Sequence, residues 1–188
     1  WVFKGSLQSC REHDLPHEVL TGAELARRFP GYRLPDSHFA LLQPDGGFLT
    51  PERCISAYVI AAHELGAEVH AREQVLGWEP RGDGVRVTTD RGAYEAGSLV
   101  ITAGAWNAGL LGELGHHMVP ERQVLAWLQP TRPDLFAPAR FPVFNLEVEE
   151  GRYYGFPVFR VPGFKFGRYR HLGETADPDQ LDRAPNAR

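Results

Sequence analysis

The sequence predicts an α+β fold: a mainly antiparallel sheet accompanied by helices, with one inserted helix-and-strand segment of α/β character. Three observations carry this expectation. Residues 152–169 alternate aromatic and other side chains around a Pro-Gly turn, the pattern of two half-buried antiparallel strands. Residues 50–66 hold the clearest amphipathic helix, followed by a block of short strands and Gly-containing turns. Residues 98–102, Ser-Leu-Val-Ile-Thr, form a continuous apolar run of the kind found in a buried parallel strand. The inserted segment is therefore placed at residues 48–112, between flanking parts 1–47 and 113–188 that come together across it.

Each element has a local reason. Residues 6–14 finish a helix that stops near Pro16. Thr21-Gly22-Ala23-Glu24 matches the capping box, so a short helix runs from Leu25 to its stop at Pro30-Gly31. Residues 39–43 form a short strand, and Pro44-Asp45-Gly46-Gly47 a turn. Thr50 then caps the main helix, Pro51 takes its first position and Glu52 complements the dipole. Cys54, Ile55, Tyr58, Val59, Ala62 and Leu65 form its apolar stripe, expected to pack in a core, and Gly66 ends it. Strands follow over residues 68–71, 74–79, 85–89 and 93–95, with hairpin turns at 81–84 and 90–92. After Gly115 the chain becomes extended and alternating over 119–128. A Pro-rich loop follows at 130–138, and a strand at 141–148. The tail 176–188 is polar, with a turn at Asp177-Pro178-Asp179 as its one feature.

Composition bounds the function classes. The chain has 188 residues, of which 43% are hydrophobic and 23% charged, the profile of a folded domain with a core of ordinary size. A net charge of −4 gives no electrostatic case for nucleic acid or an anionic membrane surface, and no apolar run is long enough to span a bilayer. Cys10 and Cys54 lack any CxxC context, which fits a reducing, cytoplasmic compartment. The histidines show no HxH spacing, and no protein-bound metal is expected. Gly82-Asp83-Gly84 joins two strands with no helix after it, so it is not a dinucleotide-binding loop.

Two places carry candidate chemistry. Lys165 lies between Phe164 and Phe166 and so points to the opposite face of its strand. It reads either as an exposed lysine on the wet side of a hairpin or as an amine desolvated in an aromatic cleft. Ala103-Gly104-Ala105-Trp106-Asn107 puts small residues at the carboxyl end of the apolar run. There the backbone can approach a ligand closely, or simply turn tightly into a helix.

Several motifs, in order, carry a resemblance. They are Phe29-Pro30-Gly31, residues 44–58, residues 99–111 with their Ala-Gly-Ala-Trp-Asn core, and Glu121-Arg122-Gln123-Val124. Tyr153-Tyr154-Gly155-Phe156-Pro157 with Gly163-Phe164-Lys165-Phe166-Gly167, then Asp177-Pro178-Asp179, complete the set. With these the chain resembles flavin-dependent amine oxidoreductases of the sarcosine oxidase and N-methyltryptophan oxidase group, within the D-amino-acid oxidase superfamily. The resemblance implies a Rossmann-like FAD domain, to which 48–112 would contribute, and an antiparallel substrate domain formed by 1–47 and 113–188. It implies oxidation of a secondary or primary amine, such as an N-methyl amino acid, to an imine, with electrons passed through FAD to oxygen.

Residue by residue, Lys165 would be the lysine beside the flavin that promotes reaction with oxygen. Tyr154 and Phe156 would line the substrate pocket, and Thr102, Ala103, Gly104 and Trp106 would pack along the cofactor. The family histidine after the lysine has no direct counterpart; Tyr169, Arg170 or His171 could fill its place. Asn145 stands where sarcosine oxidase has an apolar pocket residue, which argues against sarcosine itself as substrate. Cys10 and Cys54 match no flavin-linking position. The resemblance also implies a Gly-rich βαβ unit before Trp1 and a further part beyond the last residue, so that the 188 residues alone would be inactive. The reading from a different class is a non-catalytic binding or interaction domain derived from this fold.

Overall fold

A computed structural model describes residues 1–184, and its contacts divide them into two units. One comprises Trp1–Leu49 and Gln123–Leu172; the other comprises Thr50–Arg122 and the chain from Gly173 onward. The expected polar tail beyond residue 184 lies outside the described residues.

The first unit is built on a four-stranded, fully antiparallel sheet formed by β6 (Leu125–Leu128), β7 (Phe144–Val148), β8 (Gly151–Phe156) and β9 (Phe164–Arg168), in the order β6-β9-β8-β7. The mainly antiparallel expectation is met here. Alternation gives the sheet two unlike faces. On one, Phe144 and Phe164 join Phe136, Phe141 and Tyr32 in a ring cluster; Phe141 is 3% exposed, and Tyr32 stacks on it at 4.3 Å with the rings 3° apart. The Tyr32 hydroxyl donates to the Pro142 carbonyl at 2.6 Å, and burial pushes its pKa well up. An apolar cavity of about 600 Å³ lies against this face, lined also by Phe3, Leu25 and Leu41.

Helix α1 (Val2–Glu12), hairpin strands β1 (Glu18–Thr21) and β2 (Phe39–Leu42), and α2 (Gly22–Arg28) complete the unit. Thr21 caps α2 as the sequence predicts: its hydroxyl accepts from the Glu24 amide, and the Glu24 carboxylate accepts from the Thr21 amide.

The second unit holds α3 (Pro51–Glu64), a meander of β3 (Val75–Arg81), β4 (Gly84–Thr89) and β5 (Ala93–Ala96), and α4 (Asn107–Leu110) with flanking 3-10 turns. The Trp78 indole donates to the Leu110 carbonyl at 2.7 Å, tying the meander to α4. Residues 67–74 are held down by Glu73, whose side chain is 5% exposed and accepts hydrogen bonds from Thr89, Tyr94 and His70. Those bonds, Thr89 first and Tyr94 next, lower its pKa to about 2.

Five expectations are corrected. Residues 98–102 are not a strand, and Val100 is 82% exposed: an apolar run becomes a parallel strand only beside a neighbouring strand, and no described segment pairs with it. For the same want of a covering layer, Ile55, Tyr58 and Leu65 on the stripe of α3 are exposed, while Cys54, Val59 and Ala62 are half-buried. Residues 68–71 pair with no described strand; the His70 side chain there meets the carboxylates of Glu73 and Glu68 instead. The extended stretch 119–128 splits between partners: Glu121 bridges to Thr175, and only Leu125–Leu128 joins the sheet. The strand expected at 141–148 begins at Phe144, because the Phe141 amide bonds to Ala137 in the preceding turn.

The ring cluster depends on Gly155. A Cβ there would stand 2.5 Å from Cε1 of Phe144, whose ring is fixed by Tyr32, Phe141 and Phe164. Gly155→Ala is expected to lower stability by about 1–3 kcal/mol through overpacking, read as a shifted denaturant midpoint at unchanged slope.

Candidate functional site

The second face of the four-stranded sheet is polar and aromatic, and its layout follows from register. In one row Trp127, Lys165 and Phe156 are direct cross-strand partners; in the next, Gly167, Tyr154 and Asn145 are. Lys165 is half-buried, and its ammonium nitrogen lies 4.8 Å from the Trp127 ring centroid and 5.3 Å from that of Phe156. Among the described residues it has no carboxylate and no hydrogen-bond acceptor. The exposed-hairpin reading of Lys165 is thus set aside: the side chain is pinned between two ring faces that favour the cation without neutralising it.

Tyr154 sits beside this pair. Its ring meets Phe156 edge-on at 6.0 Å and Tyr169 at 4.7 Å. Space for it comes from Gly167, where a Cβ would stand 2.7 Å from the Tyr154 hydroxyl oxygen. Burial, and then the neighbouring Tyr169, raise the pKa of Tyr154 above the ordinary phenol value. Phe156 in turn meets Phe48 at 5.8 Å, and Phe48 meets Phe159 at 5.2 Å, which closes the aromatic wall on one side.

Asn145 and Tyr169 belong to the same face. The Asn145 amide nitrogen donates to the Tyr169 hydroxyl at 3.1 Å, and its oxygen accepts from Arg152 Nε at 2.9 Å. The structure therefore brings together Lys165, Tyr154, Phe156, Asn145 and Tyr169. It does not bring in His171, which lies in the turn after β9 and makes no hydrogen bond or ring contact with any described residue. Trp127 and Arg152 escaped the sequence reading. The signal for Arg152 was present, since it shares the period-two face of Tyr154 and Phe156; Trp127 needed the β6–β9 register.

Thr102, Ala103, Gly104 and Trp106 share one turn in the second unit. The Ala103 amide donates to the Asn107 side chain at 2.8 Å, fixing the turn, and the Trp106 indole donates to Asp179 at 2.9 Å. Gly104 takes a left-handed φ of 56°, with no atom within 4 Å of where a Cβ would stand. The backbone is open to close approach there. No group of residues among those described could hold a metal ion, and no helix among them is long and apolar enough to cross a membrane.

Comparison with known proteins gives a consistent set. The family model for FAD dependent oxidoreductases matches residues 3–188. The monomeric sarcosine oxidase of Streptomyces avermitilis is 40% identical over 183 residues, 95% of this chain and 47% of that protein. The N-methyl-L-tryptophan oxidase of Yersinia pestis is 32% identical over 172 residues, 90% of this chain and 45% of that protein. Among solved structures, NikD, an unusual amino acid oxidase essential for nikkomycin biosynthesis, superposes with a TM-score of 0.63 at 27% identity, covering 88% of this chain and 44% of that one. The chain spans about half the length of the curated relatives it matches.

The raised pKa of Tyr154 has a defined sign. Its neutral form is favoured in the folded state, so the associated stability is present below pH 10 and is lost as pH rises through the folded-state pKa. Subtracting the ultraviolet titration of Tyr154→Phe from that of the unmodified protein should isolate one phenol with a midpoint above 10. A midpoint at or below 10 would mean the ring is solvated.

Proposed function

This chain belongs to the FAD dependent oxidoreductase family, and from that premise we propose that the full-length protein oxidises a secondary or primary amine, of the N-methyl amino acid kind, to an imine. In this reading residues 48–112 belong to the FAD-binding domain, and 1–47 with 113–188 form the substrate domain. The observation that carries it is the ammonium of Lys165, held over two ring faces and left without a counter-charge among the described residues.

The residues present fit a flavin on two counts. Lys165 offers an unneutralised positive donor, and the Ala103-Gly104 backbone offers an open surface where a side chain would obstruct a flat ligand. Thr102, Ala103, Gly104 and Trp106 would hold the cofactor at that turn. Bound FAD would take the hydride from the carbon next to the amine nitrogen and pass the electrons on to oxygen.

The protein's own groups supply the surroundings. Lys165 places positive charge where negative charge develops on oxygen, and this stabilises electron transfer without prior reorganisation. Phe156 and Trp127 hold the ammonium over their ring faces without neutralising it. Tyr154, whose pKa burial raises further above neutrality, donates a hydrogen bond to the amine substrate or to its carboxylate without adding a negative charge. Asn145 and Tyr169 complete the substrate side. Hydrolysis of the imine in water then releases the amine product. The free thiols of Cys10 and Cys54 support a cytoplasmic setting. The sarcosine oxidase and N-methyl-L-tryptophan oxidase relatives do not favour the alternative of a non-catalytic binding domain.

The test is stopped-flow kinetics on the full-length holoenzyme and its Lys165→Met variant. Reoxidation of the reduced flavin by oxygen should slow by about a hundredfold or more, while reduction by the amine changes by less than about tenfold. Equal effects on both half-reactions would remove Lys165 from the oxygen step.

A further inference from the structure

The Asp177-Pro178-Asp179 turn has no part in the sheet face that carries Lys165. The chain from Gly173 onward belongs instead to the unit of Thr50–Arg122, and a short antiparallel ladder holds it there. Glu121 bridges to Thr175, the Arg122 amide donates to the Glu174 carbonyl at 2.8 Å, and the Ala176 amide donates to the Pro120 carbonyl at 3.0 Å. The half-buried Arg122 guanidinium lies 3.7 Å from the Glu174 carboxylate. The turn is then closed on itself. The Asp177 carboxylate accepts from the Asp179 amide at 2.9 Å, and the Asp177 carbonyl accepts from the Gln180 amide at 3.1 Å.

Asp179 is thereby set in place by its own segment, and what its carboxylate holds is Trp106. It accepts from the indole nitrogen at 2.9 Å, across 73 positions of chain. Trp106 ends the 3-10 turn Gly104–Trp106, and it is 53% exposed. The backbone of that turn is fixed without Asp179: the Trp106 amide donates to the Ala103 carbonyl at 3.0 Å, and the Ala103 amide donates to the Asn107 side chain. Those bonds leave the ring itself free, and an exposed tryptophan on a turn exchanges rotamers readily. The indole has one donor and no acceptor, so a charge-assisted bond to a fixed carboxylate selects one orientation of the ring.

We propose that Asp179 is a positioning residue for the cofactor: through the Trp106 indole it orders the side-chain surface beside Ala103-Gly104 before FAD arrives. The inference rests on the reading of that turn as a flavin contact. It assigns the Asp-Pro-Asp turn to the cofactor side, although the turn follows the substrate strands in sequence. A ring ordered in advance spares the complex the cost of ordering it on binding. The charge of Asp179 works the other way, since a carboxylate disfavours an anionic dinucleotide. Its contribution is the acceptor, not the charge.

The test titrates FAD into full-length protein prepared free of flavin, followed by quenching of flavin fluorescence. Asp179→Ala should weaken binding by about three- to tenfold. Asp179→Asn, which keeps the acceptor and loses the charge, should change it by less than about twofold. In a Trp106→Phe background, which has no indole N–H, Asp179→Ala should have no further effect. An unchanged Kd in Asp179→Ala, or an equal loss in Asp179→Asn, would overturn the positioning role and leave the flavin reading standing. A loss that persists in the Trp106→Phe background would mean that Asp179 only supports the tail, and would overturn it too. If the unmodified protein takes up no FAD, the flavin reading falls and the positioning role with it. If the expected pattern appears but no amine bleaches the bound flavin, the positioning role stands and the amine-oxidising reading falls.

Discussion

The pairing of β8 with β9 in one register is the constraint on which the candidate site depends. It sets Phe156 opposite Lys165 and Tyr154 opposite Gly167, and through β6 it adds Trp127 on the far side of the lysine. A slip of one residue would exchange the two faces of β9. Lys165 would then enter the ring cluster of Phe136, Phe141 and Phe144, where an unpaired charge costs far more than the packing returns. The apolar cluster behind the sheet therefore fixes the chemistry in front of it. Gly155 lets the Phe144 ring close down on one side, and Gly167 lets Tyr154 lie flat on the other.

From that register follows a graded surface. At one end a cation is held by aromatic faces alone; in the middle lies a phenol whose pKa burial raises; at the other end a second cation is held by an amide and a ring. Lys165, Tyr154 and Arg152 alternate along paired strands, and so their side chains share one face. None needs a loop to move. The positions are set by the sheet, which is more exact than a loop could make them.

Much of this was legible in the sequence, and the reasons differ by residue. The period-two alternation of Tyr154 and Phe156, and of Phe164 and Phe166, gave both strands and sent Lys165 to the right face, because alternation is a local property. The capping box at Thr21 and the Pro51 start of α3 were legible for the same reason. What local pattern does not contain is the identity of the partner. The Ser98 to Thr102 run reads as a buried strand and the stripe on α3 as core packing, yet among the described residues the run is unpaired and Ile55, Tyr58 and Leu65 are exposed. Trp127 was visible as part of an alternating stretch, but its place against Lys165 depends on a strand pairing across the Pro-rich loop. The Glu73 cluster was likewise illegible, since Glu73, Thr89 and Tyr94 meet only when the meander folds.

The central claim is that this face is the amine-side wall of a flavin site. The most direct measurement is the visible spectrum of the full-length protein, recorded anaerobically while N-methyl amino acids are added and again after oxygen is admitted. The account predicts a flavin spectrum that bleaches with amine and returns with oxygen. A colourless protein, or a flavin spectrum that no amine bleaches, would contradict it.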